Sequence, residues 1–144
     1  TTTTTALMCR NSYDPKCGQF HWDPAPAPAA PASLTVTFSP ANPKAGDTVT
    51  FTVHHHDPDT NVVACGTEDY GDQSVGCAAD YPACQTRYGP WDPPAKKPDD
   101  GTNTISHTYK AAGTYTVRIE YPAGPGCYDP YAGKVSGSVT ITIS

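Results

Sequence analysis

Ile105-Ser-His-Thr-Tyr-Lys-Ala-Ala-Gly-Thr-Tyr-Thr-Val-Arg-Ile-Glu-Tyr121 decides how the rest of the chain is read. Tyr115, Val117, Ile119 and Tyr121 alternate with Thr114, Thr116, Arg118 and Glu120. A period of two sends one set into a core and the other to water. Gly113 marks a turn ahead of this strand, and Ile105 to Tyr109 carries a second strand signal before it. The stretch therefore reads as two strands of one hairpin, against which the other segments pack.

Working outward, the same pattern recurs on both sides. Leu34, Val36 and Phe38 alternate with Thr35 and Thr37. Val49, Phe51 and Val53 alternate with Thr48, Thr50 and Thr52. Val135, Val139, Ile141 and Ile143 form a closing strand with Ser138, Thr140 and Thr142 outward. Val62 to Glu68 reads as a further strand holding Cys65. Repeated strands with one threonine-coated face predict an antiparallel all-β sandwich.

The core is thin. Leu, Ile, Val and Phe total 18 of 144 residues, and the net charge is −5. Small cores need covalent help, and six cysteines offer it: Cys9, Cys17, Cys65, Cys77, Cys84 and Cys127. An even count in a Thr-, Pro- and Gly-rich chain reads as disulfides in an oxidising compartment. The zinc alternative favours close Cys-x-x-Cys pairs, and none occurs. Short loops favour bridges Cys9–Cys17 and Cys77–Cys84, which leaves Cys65–Cys127. No apolar run approaches the ~20 residues of a membrane span. The acidic balance argues against nucleic acid. The cysteine usage predicts a location outside the cell or on its surface, and for a secreted chain a start on Thr is the processed form.

Residues 1–32 read as an N-terminal arm. Thr1, Thr2, Thr3, Thr4 and Thr5 are either a frayed end or acceptors for O-linked sugars. No Asn-x-Ser/Thr sequon occurs. The Cys9–Cys17 knot follows, then Trp22, then a Pro/Ala run to Pro31 that acts as a semi-rigid spacer. The sandwich spans 33–144, with a long insert at 73–100. That insert holds Tyr81, Tyr88 and Trp91. With Trp22, these aromatics either staple loops to the sheets or contact sugar rings or a protein partner.

Several polar groups qualify as candidate sites. His54 and His56 share a strand face, as a metal site needs, but spacing supplies no third ligand. Asp57 and Asp59 are hard oxygen donors suited to calcium, in a sequence equally suited to an ordinary turn. Asp69 and Asp72 form a carboxylate pair with no nucleophile signature beside it. No Gly-x-Ser-x-Gly, His-Glu-x-x-His or phosphate loop is present, so no catalytic residue is assigned.

His107-Thr-Tyr109, Gly113-Thr-Tyr-Thr-Val117, Glu68-Asp-Tyr-Gly-Asp-Gln73 and Asp57-Pro-Asp59 together resemble the PKD (polycystic kidney disease) domain. The resemblance covers about residues 33–144. Glu68 stands where the family carries Trp, Gln73 replaces a Gly, and the 73–100 insert and the arm lie outside the pattern. The resemblance implies an immunoglobulin-like sandwich, with calcium at Asp57 and Asp59 in some members. It also implies a spacer, binding or assembly role. Two functions follow as expectations. One is a non-catalytic extracellular structural or adhesive subunit that uses its arm to join copies of itself, in a filament or surface layer, or other cell-surface proteins. The alternative is a carbohydrate-binding module of a secreted hydrolase system, using the loop aromatics on glycans.

Overall fold

The alternating segments become strands in the computed structural model, which describes residues 8–10, 30–77, 89–91, 95–124 and 132–144. The strands are β1 (Met8–Arg10), β2 (Ser33–Ser39), β3 (Thr48–Asp57), β4 (Thr67–Asp69), β5 (Gly89–Trp91), β6 (Asp99–Thr108), β7 (Gly113–Ala123) and β8 (Gly133–Ile143). No helix occurs among the described residues. Two antiparallel sheets form, ordered β2-β3-β6 and β4-β7-β8. They enclose one core, the arrangement of a β-sandwich. β1 and β5 make a separate antiparallel pair.

The core follows the period-two reading. Val49, Phe51 and Val53 of the first sheet and Val117, Tyr121 and Ile141 of the second are wholly buried. Their neighbours Thr114, Arg118, Thr140 and Thr142 are exposed. One side of the sandwich is drawn together where β2 passes β8. A Cβ on Gly137 would collide with the Leu34 carbonyl oxygen, so only glycine permits this approach. The β2–β3 connection is tied to the end of β8, where Ala45 N–H donates to the Ser144 carbonyl at 2.9 Å.

The expected hairpin does not form. β6 pairs with β3 from Thr108 opposite Thr48 to Asp99 opposite Asp57. β7 pairs with β8 along its whole length. The turn between β6 and β7 therefore crosses from one sheet to the other. Alternation fixes which face of a strand is buried, and it does not fix the partner strand. Tyr109, wholly buried in the crossing, is the residue around which the chain changes sheet.

The expected strand at Val62 to Glu68 is also shorter than read. Only Thr67–Asp69 joins the ladder with β7, and Val62 makes an isolated bridge to Ala123. Gly66 explains the irregularity, because a Cβ there would strike the Glu120 carbonyl oxygen.

Candidate functional site

At one end of the sandwich the turn after β3 is built from aspartates. Asp57 Oδ1 accepts the N–H groups of Asp59 at 2.8 Å and Thr60 at 3.2 Å. This side chain-to-backbone capping is what makes Asp common in turns. Asp59 is 2 % exposed. Its Oδ1 lies 2.7 Å from Lys96 Nζ, and its Oδ2 accepts Ala30 N–H at 2.6 Å. The Lys96 hydrogen bond, outweighing burial, holds the Asp59 carboxyl below its usual range. The two aspartates expected as calcium ligands thus serve the turn and the lysine. A cation at Asp59 would displace the ammonium.

The histidine triplet divides between the faces of β3. His54 and His56 are on the outer face, and His55 is buried. His54 Nε2 is 2.6 Å from Asp100 Oδ1, and His56 Nδ1 is 3.5 Å from Asp100 Oδ2. Asp100 lies opposite His56 in the β3–β6 register, a pairing that sequence spacing does not reveal. His55 Nε2 lies 3.6 Å from Asp99 Oδ2, and its ring covers Gly101, where a Cβ would meet it at 2.6 Å. Among the described residues, no group of three or more His, Cys, Asp or Glu side chains is placed to hold a metal ion.

A hollow of about 510 Å³ lies beside the β6–β7 crossing and is lined by Asp72, Gln73, Ser74, His107, Lys110 and Tyr115 among others. Asp69 Oδ1 caps Gly71 N–H at 2.8 Å, which shapes the loop entering it. Gly71 has φ +83°, and a Cβ there would press on the Thr116 backbone. Gln73 holds φ 71°, a left-handed conformation unusual without glycine. His107 Nε2 is 2.8 Å from Asp72 Oδ2 and 3.3 Å from Ser74 Oγ. Ser74 Oγ also donates to Asp72 Oδ1.

These three residue types could suggest a hydrolase. The geometry does not support a relay, because a Ser-His-Asp triad uses both imidazole nitrogens, one toward each partner. Here serine and carboxylate meet the same nitrogen, and the hydroxyl proton already points to the carboxylate. The cluster fixes a loop. His107 stacks on Tyr70 with ring centroids 4.2 Å apart and meets the edge of Tyr109 at 4.6 Å.

Burial alone would raise the Asp72 pKa, but hydrogen bonds from Ser74 and His107 outweigh it and hold the carboxyl below its usual range. A depressed carboxylate stabilises the fold fully above the unfolded value of about 3.9, and that contribution is lost as pH falls below it. Asp72→Asn should therefore cost about 1–2 kcal/mol at pH 7 and flatten the acid limb of a urea-midpoint series from pH 6 to 2. Parallel wild-type and variant limbs would contradict this.

A second polar cluster lies inside the sandwich and was not visible in the sequence. Glu68 is 5 % exposed. Its Oε2 accepts Tyr70 O–H at 3.3 Å and Cys77 N–H at 3.2 Å. Its Oε1 accepts Tyr121 O–H at 3.2 Å, and Asn103 Nδ2 donates to the same Tyr121 oxygen at 3.0 Å. Burial, with the Glu68 charge beside it, pushes the Tyr70 hydroxyl up to about 12. The only sequence signal was Glu68 itself, a carboxylate at a position the resemblance assigns to Trp.

The disulfide next to this cluster corrects the expected pairing. Cys65 is bonded to Cys77, with Cα atoms 5.4 Å apart. Neither Cys65–Cys127 nor Cys77–Cys84 is formed. The loop after β4 folds back, with Gly76 N–H donating to the Glu68 carbonyl at 2.7 Å, and this brings Cys77 beside Cys65.

Among the described residues of the arm, β1 pairs Met8 opposite Trp91, Cys9 opposite Pro90 and Arg10 opposite Gly89, and Ala30 N–H bonds Asp59. The expectations for Thr1 to Thr5, Cys17, Trp22, Tyr81, Cys84, Tyr88 and Cys127 lie outside the described residues. No protein family, no curated protein and no solved structure matches this chain.

Proposed function

We propose that the chain is a non-catalytic extracellular structural module of the immunoglobulin-like, PKD type, which joins copies of itself through the arm before residue 33. The three-plus-three strand order agrees with this fold type. So does Tyr115, whose hydroxyl donates to the Ala111 carbonyl at 2.9 Å, as in the tyrosine corner of such sandwiches. The Cys65–Cys77 bridge suits an oxidising compartment. The single-nitrogen geometry at His107 speaks for a structural role at the hollow beside the β6–β7 crossing.

The observation that carries the assembly reading is the separateness of β1. It pairs with β5 and with neither sheet. The buried apolar side chains of the sandwich run from Leu34 to Ile143 and form one cluster. This gives the sandwich a core of its own, and the arm is read as reaching beyond it. An arm that meets a different surface on its neighbour gives a head-to-tail contact, which propagates when it does not close.

Sedimentation and negative-stain microscopy of the intact chain, against one lacking residues 1–29, test this. The truncation spares Ala30, whose N–H holds Asp59. Intact chain should form multimers or filaments while the truncated chain stays monomeric. Monomers from both would remove the proposal.

A further inference from the structure

The geometry points to the outer edge of β6 as the acceptor for the arm: we propose that the Thr1–Leu7 segment of a second copy adds there as an extra strand. This inference rests on the assembly reading above and names its contact.

β6 is ten residues long and ends the order β2-β3-β6. Among the described residues no strand pairs with its far side. The other sheet edges are guarded. β2 passes close to β8 at Gly137. β4 has three residues and is flanked by the Asp69–Val75 bridge. Sheet edges are usually blunted by Lys, Pro, bulges or shortness, because unpaired N–H and C=O groups template further strands. Asp99–Thr108 contains neither Lys nor Pro and pairs with β3 in continuous register. A long regular edge without these protections is suited to strand addition.

The chemistry of the edge selects the occupant. After Asp100, the outward residues of β6 are Thr102, Thr104, Ser106 and Thr108, all exposed and uncharged. Threonine already pairs with threonine across both sheets. Thr48 and Thr108 hydroxyls are 3.4 Å apart, and so are those of Thr114 and Thr142. Cross-strand Thr pairs contribute to sheet stability. Thr1–Leu7 offers five threonines, then Ala and Leu, with no charge and no proline. Five β-branched residues in succession favour the extended conformation. Seven extended residues span about 23 Å, close to the length of the charge-free run Gly101–Thr108. A segment bound to its own β6 would use up the edge and leave nothing to propagate. Donation to the next copy repeats indefinitely.

Amide hydrogen exchange of the intact chain, compared between dilute and assembling concentrations, reads this contact directly. Alternate amides in 101–108 should exchange at least tenfold more slowly on assembly, with residues 1–7 gaining protection in step. Two variants sharpen the test. Thr2→Pro/Thr4→Pro removes donors from the incoming segment, and Thr104→Lys places a charge on the acceptor edge. Each should raise the assembling concentration at least tenfold while leaving thermal unfolding of the dilute protein unchanged. Assembly without new protection at 101–108 would overturn the edge contact and leave the assembly reading standing. Protection of those amides already present at high dilution would overturn it too, since the edge would be covered within one chain. No assembly at any concentration would overturn both.

Discussion

Glu68→Ala is expected to lower the free energy of unfolding by about 4 kcal/mol, measured by urea denaturation with the disulfide intact. The carboxylate is buried and accepts three hydrogen bonds, from Tyr70 and Tyr121 hydroxyls and from the Cys77 N–H. Truncation leaves all three donors without an acceptor inside the sandwich. Each orphaned buried donor costs about 1–3 kcal/mol, which outweighs the modest net worth of any one intact hydrogen bond. Glu68→Gln separates charge from geometry. It keeps one acceptor but turns an NH2 group toward a donor, so a loss of about 2 kcal/mol is expected. A Glu68→Ala loss below about 1 kcal/mol would mean that water satisfies the three donors, and the network would not be a structural element.

Glu68 also shows where sequence reading stops. The faces of β2, β3, β7 and β8 were legible because side-chain direction alternates locally. Tyr115, Val117, Ile119 and Tyr121 are inward as read. Strand partners are not local. Ile105–Tyr121 looked like a hairpin because a turn joins two strand signals, yet β6 had a ten-residue partner in β3 and β7 an eleven-residue partner in β8. The same limit governs the cysteines. Short loops favoured Cys77–Cys84, but the fold brought Cys77 back over β4 to Cys65. The polar clusters depend on groups far apart in the chain: Asp72 with His107, Asp100 with His54, and Glu68 with Tyr121. Sequence reading singled out Asp72 and His54 as candidates, marked Glu68 only as a departure from the resemblance, and left their partners to the topology. Asp57 was the favourable case. Its dual reading as turn or ligand was set by neighbours two and three residues away, and the turn hydrogen bonds are present.

Tyr109→Ala is expected to cost about 4 kcal/mol, the scale for deleting a wholly buried aromatic side chain. Tyr109 is the pivot at which the chain leaves one sheet for the other, and it is 0 % exposed. Its ring stacks on Tyr115 with centroids 4.5 Å apart and takes His107 at its other contact, 4.6 Å away and nearly perpendicular. Removing it empties the space between both sheets at the crossing. It also withdraws the ring against which His107 is set for Asp72. Tyr109→Phe keeps the volume and removes the hydroxyl that donates to the Tyr70 carbonyl at 3.0 Å, so about 1 kcal/mol is expected. The two variants divide packing from hydrogen bonding, and pH adds a third reading. Burial raises the Tyr109 hydroxyl above the usual tyrosine range, with nearby Asp72 adding to the rise. A raised value means the folded state holds its proton where the unfolded chain releases it. The stabilisation is therefore complete below about pH 10 and lost as pH rises beyond. Wild-type stability should fall along that alkaline limb, and the fall should be shallower in Tyr109→Phe. It should not vanish, because Tyr70 and Tyr121 are raised as well. An alkaline limb identical in wild type and Tyr109→Phe would place the buried proton elsewhere. A Tyr109→Ala loss no larger than that of Tyr109→Phe would show that the crossing repacks without its central ring.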